Sequence, residues 1–138
     1  EQGIENDIYL VLGVPYRTDV LYGDFFKELD EKHDNFHFME ALSRNQKTED
    51  GNKMYVQERM LAERDVFEPL LNQENTLTYI CGLKGMETGI YRAMLMMGAD
   101  DLVEVPSDED LDWSKMDDRA PIFDNVSPND ERNLVEVY

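Results

Sequence analysis

This chain predicts an α/β fold with a parallel sheet, on three observations. Short apolar runs alternate three times with residues at helical spacing; each run closes on a glycine or a polar turn; and 138 residues with 41% apolar composition suffice for one domain core. That alternation is the pattern of right-handed crossovers.

Taking the elements in order, Ile8 to Leu12 is a continuous apolar run stopped by Gly13, the pattern of a strand covered on both faces. Thr18 to Lys32 places Leu21, Phe25 and Leu29 four apart with Lys27, Glu28 and Glu31 on the remaining face, which predicts an amphipathic helix ended by Asp34-Asn35. Phe36 to Leu42 is a second strand. A polar loop follows from Ser43 to Gly51. Val56, Met60, Val66, Phe67, Leu70 and Leu71 then suggest one helix that Pro69 should bend or end early. Leu77 to Cys81 is the third strand, Met86 to Met97 a further helix stopped by Gly98, and Leu134 to Val137 a closing strand.

Charge narrows the partners. A net charge of −18 repels nucleic acid and anionic lipid alike, so neither is an expected partner, and a phosphate-bearing ligand must be met by a local cluster of cations. From Asp100 to Tyr138 there are thirteen acidic residues against Lys115, Arg119 and Arg132. This stretch, with Pro106, Asp108-Glu109-Asp110, Pro121 and Pro128, reads mostly as an extended surface segment. One cysteine excludes an internal disulfide and gives no support to a cysteine-ligated cluster within this segment. Nothing here is long and apolar enough to insert in a membrane as a helix. Neither His33 and His37 nor the acidic clusters have metal-site spacing, so no metal is assigned. The opening residues lack a start methionine and a signal-peptide pattern, and read as the middle of a longer protein.

Three groups of residues invite a chemical reading. Gly13-Val14-Pro15, where the first strand emerges, lets backbone approach a ligand, although a purely structural turn serves as well. Ser43-Arg44 offers a hydroxyl and a planar guanidinium at a strand end, suited to a phosphate monoester, and Lys53 with Tyr55 adds a cation and a flat surface for an adenine ring. Singly, each is an ordinary solvated side chain. Gathered with Lys47 in one loop of an acidic chain, they form a candidate anion site. The third group is the strand-turn-helix stretch with Cys81, Gly82, Leu83, Met86 and Glu87, at the edge where open α/β sheets bind ligands. Alone, Cys81 reads first as a small core residue at the end of a buried strand.

The stretch Thr78-Tyr-Ile-Cys-Gly-Leu-Lys-Gly-Met-Glu87, with the ending Val135-Glu136-Val137-Tyr138, resembles plant-type ferredoxin-NADP reductases. The likeness runs from about Tyr9 to Met97 and resumes at the last five residues. It implies a doubly wound, five-stranded parallel sheet, with NADP and FAD as cofactors. In that family the Ser-Arg and Lys-x-Tyr pairs hold the 2′-phosphate and adenine, so Ser43, Arg44, Lys53 and Tyr55 would grip that phosphate with Gln57 beside the adenosine. Cys81 would lie against the nicotinamide, Glu87 on the polar side of the hydride-transfer site, and the Tyr138 ring over the flavin. All three would act by position, since hydride passes directly between nicotinamide and flavin.

Two departures stand out. The family's pyrophosphate-binding segment, its opening central strand and its flavin-binding barrel are absent from residues 1–138, so residues 1–138 would be a partial NADP-binding domain, completed upstream or by another chain. The segment from Asp100 to Asn133 is far more acidic than the family's basic counterpart, and would repel a free acidic ferredoxin. That favours a fused or different iron-sulfur acceptor, as in the reductase component of a bacterial benzoyl-CoA oxygenase. The implied location is the bacterial cytoplasm, or a plastid in a photosynthetic eukaryote. A different class stays open: a non-catalytic nucleotide-binding or assembly domain that has lost flavin chemistry.

Overall fold

In chain order the elements are β1 (Ile8–Val14), α1 (Gly23–Lys32), β2 (Phe36–Leu42), α2 (Val56–Ala62), α3 (Arg64–Leu71), β3 (Thr78–Gly82), α4 (Met86–Met96), β4 (Val103–Glu104), β5 (Ser127–Pro128) and β6 (Asn133–Val137). This computed structural model describes residues 3–105, 111–117, 119–120, 125–129 and 131–138. The chain divides into two compact units, Glu1–Ala62 and Glu63–Tyr138.

In the first unit β1 and β2 pair in parallel, from Ile8 opposite Phe36 to Val14 opposite Leu42, with α1 as the crossover between them. The outer edge of β2 is occupied where the Asp30 carboxylate accepts the Phe38 N–H at 2.8 Å. Contrary to a strand covered on both faces, no residue of β1 is fully buried. With only two strands in this piece of sheet, β1 has a strand partner on one side alone among the described residues.

Helix α1 starts later than the apolar spacing predicts. A 3-10 turn at Arg17–Asp19 comes first, closed by the Asp19 N–H on the Tyr16 carbonyl, and Tyr22 then takes a left-handed backbone at φ 58° before the helix opens on Gly23. This delayed start changes the buried ridge. Leu21 and Phe25 are exposed, and Phe26 turns inward instead, its ring 5.3 Å from Phe38 and 6.4 Å from Phe36.

The single helix expected over Val56 to Leu71 is two helices, broken at Glu63 rather than at Pro69. Pro69 sits inside α3, which runs on to Leu71. Its carbonyl end is satisfied by side chains: Asn72 Nδ2 donates to the Glu68 carbonyl at 2.8 Å, and Arg132 donates to the Leu71 carbonyl at 3.1 Å.

In the second unit β3 and β6 pair in parallel from Thr78 opposite Asn133 to Gly82 opposite Val137. Each begins one residue away from its expected start, a shift that leaves the strand pairing intact. Helix α4 carries Ile90, Tyr91, Ala93, Met94 and Leu95 into the core, and Gly98 ends it at φ 70°, as its sequence predicts. The four methionines of this region serve mainly as packing: Met94 and Met97 are buried, Met86 and Met96 partly so. The acidic segment is not extended throughout, since Trp113–Lys115 forms a 3-10 turn; β4 pairs antiparallel with β5. The expectations for Pro106, Asp108-Glu109-Asp110 and Pro121 lie outside the described residues.

Buried Asn133 organises this unit. Its Nδ2 donates to the Leu102 carbonyl at 2.7 Å and to the Asn129 carbonyl at 3.1 Å, while its Oδ1 accepts from the Thr78 hydroxyl. The four parallel strands, arranged as two pairs, match the four that the α/β reading assigned to this chain.

Candidate functional site

The first unit assembles its candidate residues from three chain segments. At the ends of the paired strands, Ser43 donates its N–H to the Val14 carbonyl at 3.0 Å and Arg44 to the Pro15 carbonyl at 2.9 Å. The register of β1 and β2 thereby carries on past the sheet and fixes the Ser43-Arg44 backbone against Val14-Pro15. Gly13 has a packing reason as well as an open backbone: a Cβ there would stand 2.6 Å from Cγ2 of Val56.

Residues Lys47 and Lys53 face each other in an antiparallel bridge, closed by the Gly51 N–H on the Thr48 carbonyl at 3.0 Å. Like charges placed opposite one another repel. Past the bridge burial alternates, with Lys53 and Tyr55 exposed and Met54 between them buried, so the cation and the flat ring share the solvent side. Tyr55 also sets the start of α2, its carbonyl accepting the Arg59 N–H at 2.9 Å. Gln57 is only 9% exposed, unlike the other residues of this group.

The electrostatic pattern sets these cations apart from six others. Arg17 and Lys27 both pair with Glu40, at 3.0 and 3.3 Å, Lys32 pairs with Glu28, Arg64 with Glu68, Lys115 with Asp112 and Arg119 with Asp117. Among the described residues Arg44, Lys47 and Lys53 make no ion pair with a carboxylate. In a chain of 31 acidic and 13 basic residues, three exposed cations in one hairpin and its entry are a candidate site for an anion from outside.

The second unit holds the other candidates, on the turn from β3 into α4 and on β6. Register puts Cys81 opposite Glu136 and Gly82 opposite Val137, and the pairing extends as Tyr138 N–H donates to the Gly82 carbonyl at 2.9 Å and Lys84 N–H to the Tyr138 carbonyl at 2.9 Å. That brings the Cys81 thiol within 3.8 Å of the Tyr138 hydroxyl. Glu87 accepts the Gly85 N–H at 2.7 Å, holding the turn whose glycine stands at φ 100°. Met86 lies over Gly82, where an added Cβ would meet its Cε at 2.6 Å. Leu83 and Cys81 are exposed.

One face of the β3–β6 pair is open. Tyr79 is 61%, Leu134 61% and Tyr138 78% exposed, with Cys81 and Glu136 between them in the strand alternation. Tyr79 donates to Glu136 at 2.8 Å, and that bond above all holds its hydroxyl protonated above the usual tyrosine range. Tyr138 is raised likewise, first by its hydrogen bond with Cys81 and then by the charges of Cys81 and Glu136. Both phenols stay neutral through the physiological range.

Sequence reasoning missed Tyr16, whose ring centroid lies 5.8 Å from the Arg44 guanidinium carbon. Its signal was an aromatic residue directly after the strand-end Gly13-Val14-Pro15 turn. Among the described residues no group of three or more His, Cys, Asp or Glu side chains is placed to hold a metal ion, and no helix is long and apolar enough to cross a membrane.

Residues 1–92 match the model of the oxidoreductase NAD-binding domain family. The chain is 43% identical over 97 residues to the chloroplastic leaf isozyme 1 of ferredoxin-NADP reductase from Arabidopsis thaliana, covering 70% of this chain and 27% of that protein. It is 44% identical over 87 residues to ferredoxin-NADP reductase from Spirulina sp, covering 62% of this chain and 30% of that one. This chain therefore spans about a quarter to a third of the length of these relatives. A solved structure of Plasmodium falciparum ferredoxin-NADP+ reductase with 2'P-AMP shares the fold, with TM-score 0.59 and 18% identity over 96% of this chain and 38% of that one. The family model takes in 92 of the 138 residues, and the chain belongs to the oxidoreductase NAD-binding domain family.

Proposed function

We propose that this chain is the NADP-binding part of an FAD-dependent reductase that takes hydride from NADPH and passes electrons to a ferredoxin-type or fused iron-sulfur carrier. The observation that carries the reading is the group Arg44, Lys47 and Lys53, unpaired among the described residues in a chain of net charge −18. The 2′-phosphate is the one part of NADP that NAD lacks, and a dianion fits cations that have no carboxylate of their own. Arg44 would bind it with Ser43, Lys53 from the bridged hairpin would add charge, and Tyr55 would carry the adenine ring. Gln57, buried at the start of α2, would support that wall from behind.

When bound, the NADPH and FAD pair supplies the hydride transfer itself, which requires no protein nucleophile. The protein's part is position and exclusion of water. Glu87 holds the Gly85 turn, so that Gly82 and Leu83 present backbone and an apolar side chain beside Cys81. The exposed Tyr138 ring, tied to Cys81 and backbone-bonded to Gly82, is the flat surface that would cover a flavin ring. Each phenol and thiol orients; none attacks.

The exposed face of β3–β6 and the side of β1 that has no strand partner among the described residues support a larger protein, in which a central strand, a pyrophosphate-binding segment and an FAD domain complete this one. The expected compartment is the bacterial cytoplasm or a plastid. A test is reduction of the full-length protein's bound flavin by NADPH and by NADH, followed in the visible flavin absorption. Bleaching by NADPH at low concentration and by NADH only at far higher concentration supports the reading. Absence of bound flavin, or equal response to both, refutes it and favours a non-catalytic nucleotide-binding domain.

A further inference from the structure

We propose that Tyr16 is a positioning residue for Arg44, holding its guanidinium ready for the 2′-phosphate; the inference rests on the phosphate-site reading above. Tyr16 and Arg44 come from the exits of different strands, and the backbone on either side of them is cross-braced. The Arg44 N–H bonds the Pro15 carbonyl at 2.9 Å, and the Arg17 N–H bonds Asn45 Oδ1 at 2.7 Å. Tyr16 itself is fixed by Asp19, whose carboxylate accepts the Tyr16 N–H at 3.1 Å and whose own N–H bonds the Tyr16 carbonyl at 2.9 Å. Neither backbone can swing without breaking these bonds.

Within that frame the Arg44 guanidinium carbon sits 5.8 Å from the Tyr16 ring centroid, inside cation–π range. The aromatic face attracts the cation without accepting its N–H groups in their plane. A carboxylate neighbour would also orient Arg44, but it would neutralise the charge and occupy the donors that a phosphate needs. Arg17 shows that alternative one residue away: its guanidinium is bonded to Glu40 at 3.0 Å. Tyr16 therefore restricts Arg44 while leaving its charge and donors available. A preorganised ligand-binding cation loses less side-chain freedom when the phosphate arrives.

The role concerns only the 2′-phosphate, so it has a readout that a general stabilising role would not move. Affinities for 2′,5′-ADP and 5′-AMP are measured in the full-length protein and in Tyr16→Phe, Tyr16→Leu, Arg44→Ala and the Tyr16→Leu/Arg44→Ala double variant. Tyr16→Leu should weaken 2′,5′-ADP about two- to fivefold and leave 5′-AMP unchanged, while Tyr16→Phe keeps the original ratio. The double variant should match Arg44→Ala alone. The inference is overturned if Tyr16→Leu preserves the ratio while Arg44→Ala lowers it, if Tyr16→Phe loses as much as Tyr16→Leu, or if Tyr16→Leu costs further affinity without Arg44. Should Arg44→Ala itself leave the ratio unchanged, the phosphate-site reading falls and this inference with it.

Discussion

The Cys81 thiol and the Tyr138 hydroxyl stand 3.8 Å apart, joined by the strand register that places β6 beside β3 and by the bond from the Tyr138 N–H to the Gly82 carbonyl. Residues 57 positions apart in the sequence thus form one surface. On the proposed function, that surface is where the nicotinamide and flavin rings would meet.

Substituting Cys81 tests this directly. Cys81→Ser should slow hydride transfer, because the shorter, less polarizable hydroxyl neither fills the same volume nor reaches Tyr138 in the same way. Binding of 2′,5′-ADP should stay within about twofold, since a kcal/mol-scale change would require contact with the adenosine part. Stopped-flow flavin reduction and a separate nucleotide titration read the two effects, and a large loss of 2′,5′-ADP affinity would count against the assignment.

Replacing Tyr138 by Ser removes the exposed ring while sparing the backbone bonds to Gly82 and Lys84. Nicotinamide binding should tighten and selectivity between NADP and NAD should relax, as the ring no longer competes for the same place. Equal coenzyme affinities in variant and parent would argue that Tyr138 has no such role.

The raised phenols give a pH prediction. Each ionises above the ordinary tyrosine value of 10.0, Tyr79 chiefly through Glu136 and Tyr138 chiefly through Cys81. The protonated, neutral phenol is the form the fold favours, so the stabilising contribution is complete below pH 10.0 and is lost as pH rises through the raised values. In a phenolate absorbance titration, Glu136→Gln should move Tyr79 down toward its ordinary value and Tyr138 by less. A profile that does not respond to the substitution would show that Glu136 is not the cause.

Glycines separate packing from ligand approach. Gly13→Ala drives a methyl against Cγ2 of Val56, a stiff β-branched side chain on α2, and should destabilise by about 1–3 kcal/mol in thermal or urea unfolding. Gly82→Ala meets only the flexible end of Met86, so the fold should lose less than with Gly13→Ala. Reversal of that order would mean that Met86 is held more firmly than Val56.

Much of this was legible in the sequence, and the residues show why. Strand-helix alternation identified β1, β2, β3 and α4 because short apolar runs and capping glycines are local signals. The α1 ridge was misread because the Tyr22 kink, set by the preceding turn, moves the helix start and hence the buried face from Phe25 to Phe26. The break at Glu63 was hidden for a similar reason: apolar spacing continued across it, and Pro69, the conspicuous breaker, was accommodated. Among candidate residues, Arg44 and Lys53 were visible as scarce cations, and Cys81 and Tyr138 through family resemblance. Tyr16 and Asn133 were invisible because their significance lies in partners 28 and 55 positions away, Arg44 and Thr78 respectively.

The most direct measurement of the central claim is the ratio of affinities for 2′,5′-ADP and 5′-AMP in the full-length protein at fixed ionic strength. Two charge-assisted hydrogen bonds at about 1.5–3 kcal/mol each predict a preference of about a hundredfold to ten-thousandfold for 2′,5′-ADP, largely lost in an Arg44→Ala/Lys53→Ala variant. Equal affinities in the unaltered protein would contradict the account.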